Sequence, residues 1–575
     1  MNEAIVTAEG TVVGVRGKRT RSGTISWKGI PFAAPPVGPL RFRAPEPVTP
    51  WKGRFAANAY GTAEIQEKMF TAVGPGRFQP TGEDCLSLNV FSPDRISANP
   101  RPVMVFIHGG AYFLGTTATP LYDGSLLAKV GDVVVVTVQY RFGPFGYLDF
   151  SQYSSDVRPF EDNLGLRDQV ASLEWVQRNI AAFGGDPDNV TVFGESAGGS
   201  SVTALLSTPA AEGLFNQAIA QSPANELNIS KETAAHFAQE FVKMLDDRSY
   251  RAGSGGAPVP PERARELLVN ATPEQMHRAG KRLTAYSPNS GTGEFLPYGP
   301  TFGTEYLPQD PNKAARDGNT HRVPLIIGTN RDEGRLFTRG ASFLPTDDQD
   351  QSEVAFPEGE QVFLGVDAEY RAALVQAYSE GHRGGDPVHM LGDSVFWGPA
   401  IAFAEGHSAA GNPTYVYRYD FDTKVLRASG MRATHATELF AVFGAYRTAI
   451  GAALAVGDWK TTGKMTRVMQ GHWTTFARTG QPELQWTPYA AANRDERVFG
   501  DTADRFDVTR SPNPHLSFGI GEHFCLGAQL ARLEAKTVFT EVLRRWPDYR
   551  VLDGVEGEES TLLRATAKLP ILLQP

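Results

Sequence analysis

Cysteine is nearly absent: the 575 residues include two, Cys85 and Cys525. They lie far apart in unrelated contexts, which excludes a disulfide framework and fits a reducing compartment. Long apolar runs are missing too. No stretch approaches the roughly eighteen residues that cross a bilayer. The start, Met1-Asn2-Glu3-Ala4-Ile5-Val6-Thr7, has neither the basic nor the apolar region of a signal peptide. Basic residues do not dominate: Lys and Arg number 55 against 64 Asp and Glu, a net charge of −9, which argues against a nucleic-acid surface. The expectation is a cytoplasmic protein, monomer or homodimer, with neither membrane nor nucleic acid as partner. At 41% hydrophobic residues, the chain is long enough for one very large domain or several ordinary ones.

What is present is an alternation of strand and helix patterns. Residues 11–15 and 24–27 read as hairpin strands, followed by a proline-rich passage to Pro50. Residues 103–107, 133–138 and 190–193 are continuous apolar runs, the pattern of strands buried on both faces. An amphipathic helix pattern at 166–176 separates the second from the third, and 323–328 and 414–419 read as later strands. This order predicts an α/β fold with a large, mostly parallel, doubly wound sheet. Residues 250–320 and 338–361 read as insertions that rim a site, or equally as passive surface.

Gly194-Glu195-Ser196-Ala197-Gly198 sits between the run at 190–193 and a helix-like stretch from Gly199. A Gly-x-Ser-x-Gly at a strand-to-helix junction forces a tight turn that exposes the serine hydroxyl. The plain alternative is a Ser/Gly-rich turn without chemistry. A serine hydroxyl needs an imidazole base, a group that fixes the imidazole tautomer, and backbone donors for a developing oxyanion. Phe106-Ile107-His108-Gly109-Gly110-Ala111 supplies a second glycine turn after a buried strand, and the Ala197 N–H adjoins the serine.

Here the chain resembles the type-B carboxylesterases, which include bacterial para-nitrobenzyl esterases and the cholinesterases. The matching blocks run in family order from residue 1 to about 489. They include Lys28-Gly29-Ile30-Pro31-Phe32-Ala33, Glu83-Asp84-Cys85-Leu86-Ser87-Leu88-Asn89-Val90, His108-Gly109-Gly110-Ala111 and Tyr140-Arg141-Phe142-Gly143-Pro144-Phe145-Gly146. Asn163-Leu164-Gly165-Leu166-Arg167-Asp168-Gln169, the Ser196 motif, Gly328-Thr329-Asn330-Arg331-Asp332-Glu333-Gly334 and Ala433-Thr434-His435 complete them. The resemblance implies an α/β-hydrolase fold and hydrolysis of small-molecule esters without a cofactor. It implies Ser196 as nucleophile, Glu333 as the carboxylate, His435 as the base, and Gly109, Gly110, Ala111 and Ala197 as the oxyanion hole. Residue types alone do not choose Glu333 over Asp332, or His435 among eleven histidines. The same resemblance implies two ion pairs, Arg41 with Glu83 and Arg141 with Asp168.

The chain departs from the family at Ala436, where cholinesterase-like members have Gly, and at Pro223, in place of a common Gly. Cys85 matches a cysteine that secreted relatives cross-link, but its upstream partner is absent, so a free, buried thiol is expected.

From about residue 490 the pattern changes. Phe518-Gly519-Ile520-Gly521-Glu522-His523-Phe524-Cys525-Leu526-Gly527 resembles the haem-thiolate loop of cytochromes P450, with Cys525 as candidate ligand to haem iron. Two domains are therefore expected, 1–490 and 491–575. The tail lacks the oxygen-activating helix, the Glu-x-x-Arg helix and most pocket walls of that family. A P450-like oxidoreductase is the alternative function, and the missing pocket weighs against it. A non-catalytic binding module is the other, and the presence of Ser196, Glu333 and His435 weighs against that. Residues 496–499 and 530–546 are candidates to replace the strand and helix that end the esterase chain.

Overall fold

The computed structural model describes residues 3–74, 76–247, 250, 256–290, 292, 294, 296–339, 387–483, 486–490 and 495–500, with short strands beyond 548. Its frame is a ten-stranded sheet: β1 (Val15–Arg16), β2 (Thr24–Pro31), β3 (Ser87–Pro93), β4 (Arg101–Ile107), β5 (Val134–Val138), β6 (Gly185–Glu195), β7 (Gln217–Gln221), β8 (Leu325–Asn330), β9 (Thr414–Tyr419) and β10 (Glu496–Phe499). In space the order is β10-β9-β8-β7-β6-β4-β5-β3-β2-β1. Strands from β10 through β5 pair in parallel, while β3, β2 and β1 continue antiparallel.

The continuous apolar runs form central strands for a simple reason: successive side chains point to opposite faces, and both faces are covered. Val103, Val105 and Ile107 of β4 enter one core, whereas Met104 and Phe106 enter the other. α1 (Leu164–Asn179) and α2 (Ala197–Leu206) contribute to the first core through Leu173, Trp175, Val202 and Leu205. α3 (Lys231–Asp246) precedes the region read as an insertion, and α4 (Pro261–Asn270) and α5 (Pro273–Tyr286) lie within it. α5 opens on a capping box, with Thr272 accepting from the Gln275 N–H and Gln275 accepting from the Thr272 N–H. α6 (Trp459–Thr479) places Trp473 and Phe476 in the second core. The second expected insertion falls almost wholly outside the described residues.

Both ion pairs implied by the family resemblance are present. Arg41 Nε donates to Glu83 Oε2 at 2.7 Å, and buried Arg141 grips Asp168 with two bonds of 2.7 and 2.8 Å. Cys85 is a free, buried thiol. Its S–H points at Oε2 of fully buried Glu64, 3.4 Å away.

The compact units of the structure do not follow a single cut at residue 490. One compact unit comprises Met1–Tyr489 together with Asp495–Phe506, and a second holds Ala490–Arg494 and Asp507–Pro575. Residues 496–499 form an edge strand of the ten-stranded sheet, as the sequence allowed. The candidate helix at 530–546 and Cys525 lie outside the described residues. No helix among the described residues is long and apolar enough to cross a membrane.

Candidate active site

Four parallel strands end side by side, and their register aligns the ends: Ile107 pairs with Gly194, Glu195 with Gln221, and Gln221 with Gly328. Each strand then turns into a segment that contributes to one cluster. β4 leads to His108-Gly109-Gly110-Ala111, β6 to Ser196, β7 to Ser222, and β8 to Glu333. Clustering at the carboxyl edge of a parallel sheet is where such folds place their chemistry.

Ser196 is held at φ 61°, ψ −128°, a conformation few side-chain-bearing residues adopt, and α2 begins at the next residue. The strain is fixed by close packing. A Cβ on Gly198 would stand 2.1 Å from the Ile107 carbonyl oxygen, and one on Gly109 would stand 2.8 Å from the Ser196 Cβ. Only glycine lets the helix start and the β4 turn approach this closely. The Ser196 N–H donates to the Gln221 carbonyl at 2.9 Å.

Gly109 therefore lies against the serine, and the chain beyond it is also strained, with Ala111 at φ 52° and Tyr112 at φ 60°. His108, buried behind this turn, stacks on Tyr140 at 4.7 Å, and its Nδ1–H donates to the Gly109 carbonyl at 2.8 Å. Burial lowers its imidazolium to about 4, so the ring is neutral. Among the described residues, the N–H groups of Gly110, Ala111 and Ala197 have no acceptor. For Ala197 the reason is general: the first N–H groups of a helix lack intrahelical partners.

Glu333 and His435 come from segments 102 residues apart, yet Nδ1 of His435 donates to Glu333 Oε2 at 2.6 Å. Glu333 Oε1 accepts from the Ser222 hydroxyl and the Asn330 N–H, each at 2.6 Å. The carboxylate is thus oriented from both sides. Phe337 and Phe396 flank the imidazole, their ring centroids 5.1 and 4.6 Å from its own. The other ring nitrogen, Nε2, is buried with no hydrogen-bond partner. It stands 3.1 Å from Glu195 Oε1, close enough for an ion pair but out of line for a hydrogen bond. Since Glu195 immediately precedes Ser196, this contact brings the free nitrogen to the serine turn.

Three buried carboxyl groups surround the imidazole. Glu438 completes them, accepting from Gln221 Nε2 at 3.0 Å and Asn330 Nδ2 at 2.6 Å. Burial lowers the His435 imidazolium, but Glu195 and then Glu333 outweigh it and raise it to about 9. Burial likewise lifts Glu195 to about 8 and Glu438 to about 7. These groups titrate together. A proton on Glu195 removes the charge that most favours the imidazolium, so a neutral imidazole goes with a protonated Glu195.

Sequence reasoning missed Ser222, Glu195, Gln221 and Glu438 as members of this cluster. Their contacts span up to 217 residues of chain, and no local pattern marks them. Glu195 was the exception within reach: it occupies the variable position of the serine motif. Among the described residues no group of His, Cys, Asp and Glu is arranged to hold a metal ion.

The carboxylesterase family model matches residues 2–513, nearly the whole chain. The chain belongs to the carboxylesterase family. A para-nitrobenzyl esterase of Bacillus subtilis (strain 168) is 39% identical over 503 residues, covering 87% of this chain and 95% of the relative. The medium-chain fatty acyl-CoA hydrolase precursor of Anas platyrhynchos is 33% identical over 526 residues, covering 86% of this chain and 87% of the relative. Among solved structures, a PNB esterase superposes with TM-score 0.74 at 36% identity, and the Geobacillus stearothermophilus carboxylesterase EST55 with 0.73 at 32%. Each superposition covers 87% of this chain and 96% of the other. The carboxylesterase family hydrolyses carboxylic esters of small molecules without a cofactor. A second model, cytochrome P450, matches residues 488–552 alone.

Proposed function

We propose that this carboxylesterase works through a Ser196-His435-Glu333 triad and a covalent acyl-enzyme. His435 Nε2 takes the Ser196 proton as the hydroxyl attacks the ester carbonyl. The resulting oxyanion is received by the free N–H groups of Gly110 and Ala111, on the turn that Gly109 lets approach the serine, and of Ala197 at the start of α2. The imidazolium gives its proton to the departing alcohol, and water repeats the cycle to release the acid. Glu333, anchored by Ser222 and Asn330, holds the imidazole with Nδ1 protonated and stabilises the imidazolium. The observation that carries this reading is the 2.6 Å bond from His435 Nδ1 to Glu333, with Nε2 left without a hydrogen-bond partner beside the serine turn.

The walls suit an apolar ester. Buried Leu296 packs with Ala111, Phe113, Leu227 and Val395 next to the oxyanion turn. Phe113 also lines a cavity of about 600 Å³, where Ile65, Phe70, Pro144 and Tyr298 meet Glu67, His277 and Lys281.

Ser196→Ala is expected to lower kcat on a p-nitrophenyl ester by about 10⁴-fold or more. Turnover near the wild-type rate refutes the triad.

A further inference from the structure

The residues matched by both family models include β10, and only β9 separates β10 from β8, the strand that leads to Glu333. We propose that this strand, in the stretch the cytochrome P450 model also claims, is a working part of the esterase, with Glu496 and Phe499 as positioning residues for Glu333 and Ser196. The inference rests on the triad reading above.

A polar route runs from Glu496. Its Oε1 pairs with Arg418 Nη1 at 3.0 Å, and Arg418 also forks onto Asp420 with bonds of 2.7 and 3.0 Å. Asp420 faces Arg331 at 3.8 Å, and Arg331 Nε donates to Asp332 Oδ2 at 2.9 Å. Asp332 precedes Glu333, and its N–H donates to the Ala433 carbonyl at 2.9 Å, two residues from His435. The backbone follows the same path. The Asp420 and Phe421 N–H groups both donate to the Phe499 carbonyl, at 2.8 and 3.0 Å, and the Arg331 N–H donates to the Tyr419 carbonyl at 2.9 Å. β10 therefore fixes where β9 ends, and β9 fixes the turn that presents the acid.

An apolar route runs from Phe499, which is 2% exposed and packs on Trp473 and Trp486 at centroid distances of 6.2 and 5.6 Å. Trp473 Nε1 donates to Gln221 Oε1 at 3.2 Å. Gln221 holds the Ser196 N–H through its carbonyl and Glu438 through its amide. One side chain at the sheet edge thus bears on the residue that seats the nucleophile. Catalytic geometry tolerates little: a displacement of about 1 Å costs on the order of a hundredfold in rate. Loss of either support is expected to produce a fraction of that.

The test uses the full chain carrying Glu496→Gln or Phe499→Leu. Each preparation is titrated by its nitrophenol burst, so that rates refer to competent sites alone, and Tm is recorded. The proposal predicts kcat per titrated site reduced about three- to tenfold, KM within twofold, and partial recovery of kcat in Glu496→Asp. Unchanged kcat per titrated site in both variants overturns it, whatever happens to Tm. The two readings fail differently: turnover near the wild-type rate in Ser196→Ala sinks the triad, whereas loss of turnover in Ser196→Ala with unchanged kcat in the β10 variants sinks only the role of β10.

Discussion

The two halves of the site are built from different materials. The Ser196 half is made almost wholly of backbone and small residues drawn from Phe106 to Ser222: a strained serine, glycines in contact with carbonyl groups, and N–H donors at a helix start. The His435 half is made of charge: Glu333, Glu195 and Glu438 around one imidazole, with Arg331, Asp332, Arg418 and Asp420 behind the acid. Shape fixes the first half, and proton and charge balance governs the second. Damage to the first should cost stability and activity together. Damage to the second should cost activity with the fold intact.

Glu333→Gln breaks the charged half most severely. It exchanges the group that fixes the His435 tautomer for an amide, and kcat is expected to fall about a thousandfold or more with Tm little changed. Stopped-flow hydrolysis beside a melting curve checks both parts. Gly198→Ala breaks the other half. Its Cβ meets a carbonyl oxygen of central strand β4, which cannot yield, so a loss on the order of 3 kcal/mol is expected in a denaturant titration, with activity falling in parallel. A Gly198→Ala protein of normal stability erases the contrast.

Glu195→Gln sharpens the contrast through pH. In the proposed mechanism His435 acts as base only when neutral, so kcat/KM is expected to rise with pH through its titration, and Glu195 is the largest influence raising that value. Removing the charge moves the acid limb to lower pH. A limb that stays put, or moves up, shows that Glu195 does not face the imidazole as a charge. The smallest effect belongs to Ala436→Gly. Ala436 sits at φ 65°, a conformation that costs a residue with a Cβ roughly 1–2 kcal/mol. Glycine relieves this but loses roughly 0.5–1 kcal/mol through the freer unfolded chain. The net expectation is a gain of up to about 1 kcal/mol, read as a slightly higher Tm.

Legibility in the sequence divided along the same line. The serine turn could be read from five residues and their flanks, because neighbours in sequence make its geometry. The apolar runs at 103–107, 133–138 and 190–193 became β4, β5 and the end of β6 for the same local reason. The proposed acid and base, Glu333 and His435, could not be read that way. Asp332 and Glu333 are adjacent carboxylates, and the family resemblance alone distinguished them. The structure explains the difference between them: Asp332 is taken up by Arg331 and Arg335, leaving Glu333 to meet His435. Glu438, Gln221 and Ser222 acquire roles only through tertiary contacts. β10 was legible as a candidate strand, but its bearing on Arg418 and Trp473 depends on partners up to 78 residues away.

The most direct test of the triad is covalent trapping. The full chain is treated with an organophosphate, digested, and the labelled peptide mapped by mass, in wild type and in His435→Ala. One label per chain is expected on Ser196, formed at least a thousandfold more slowly without the imidazole. A label on another residue, or equal labelling rates in the two proteins, contradicts the triad.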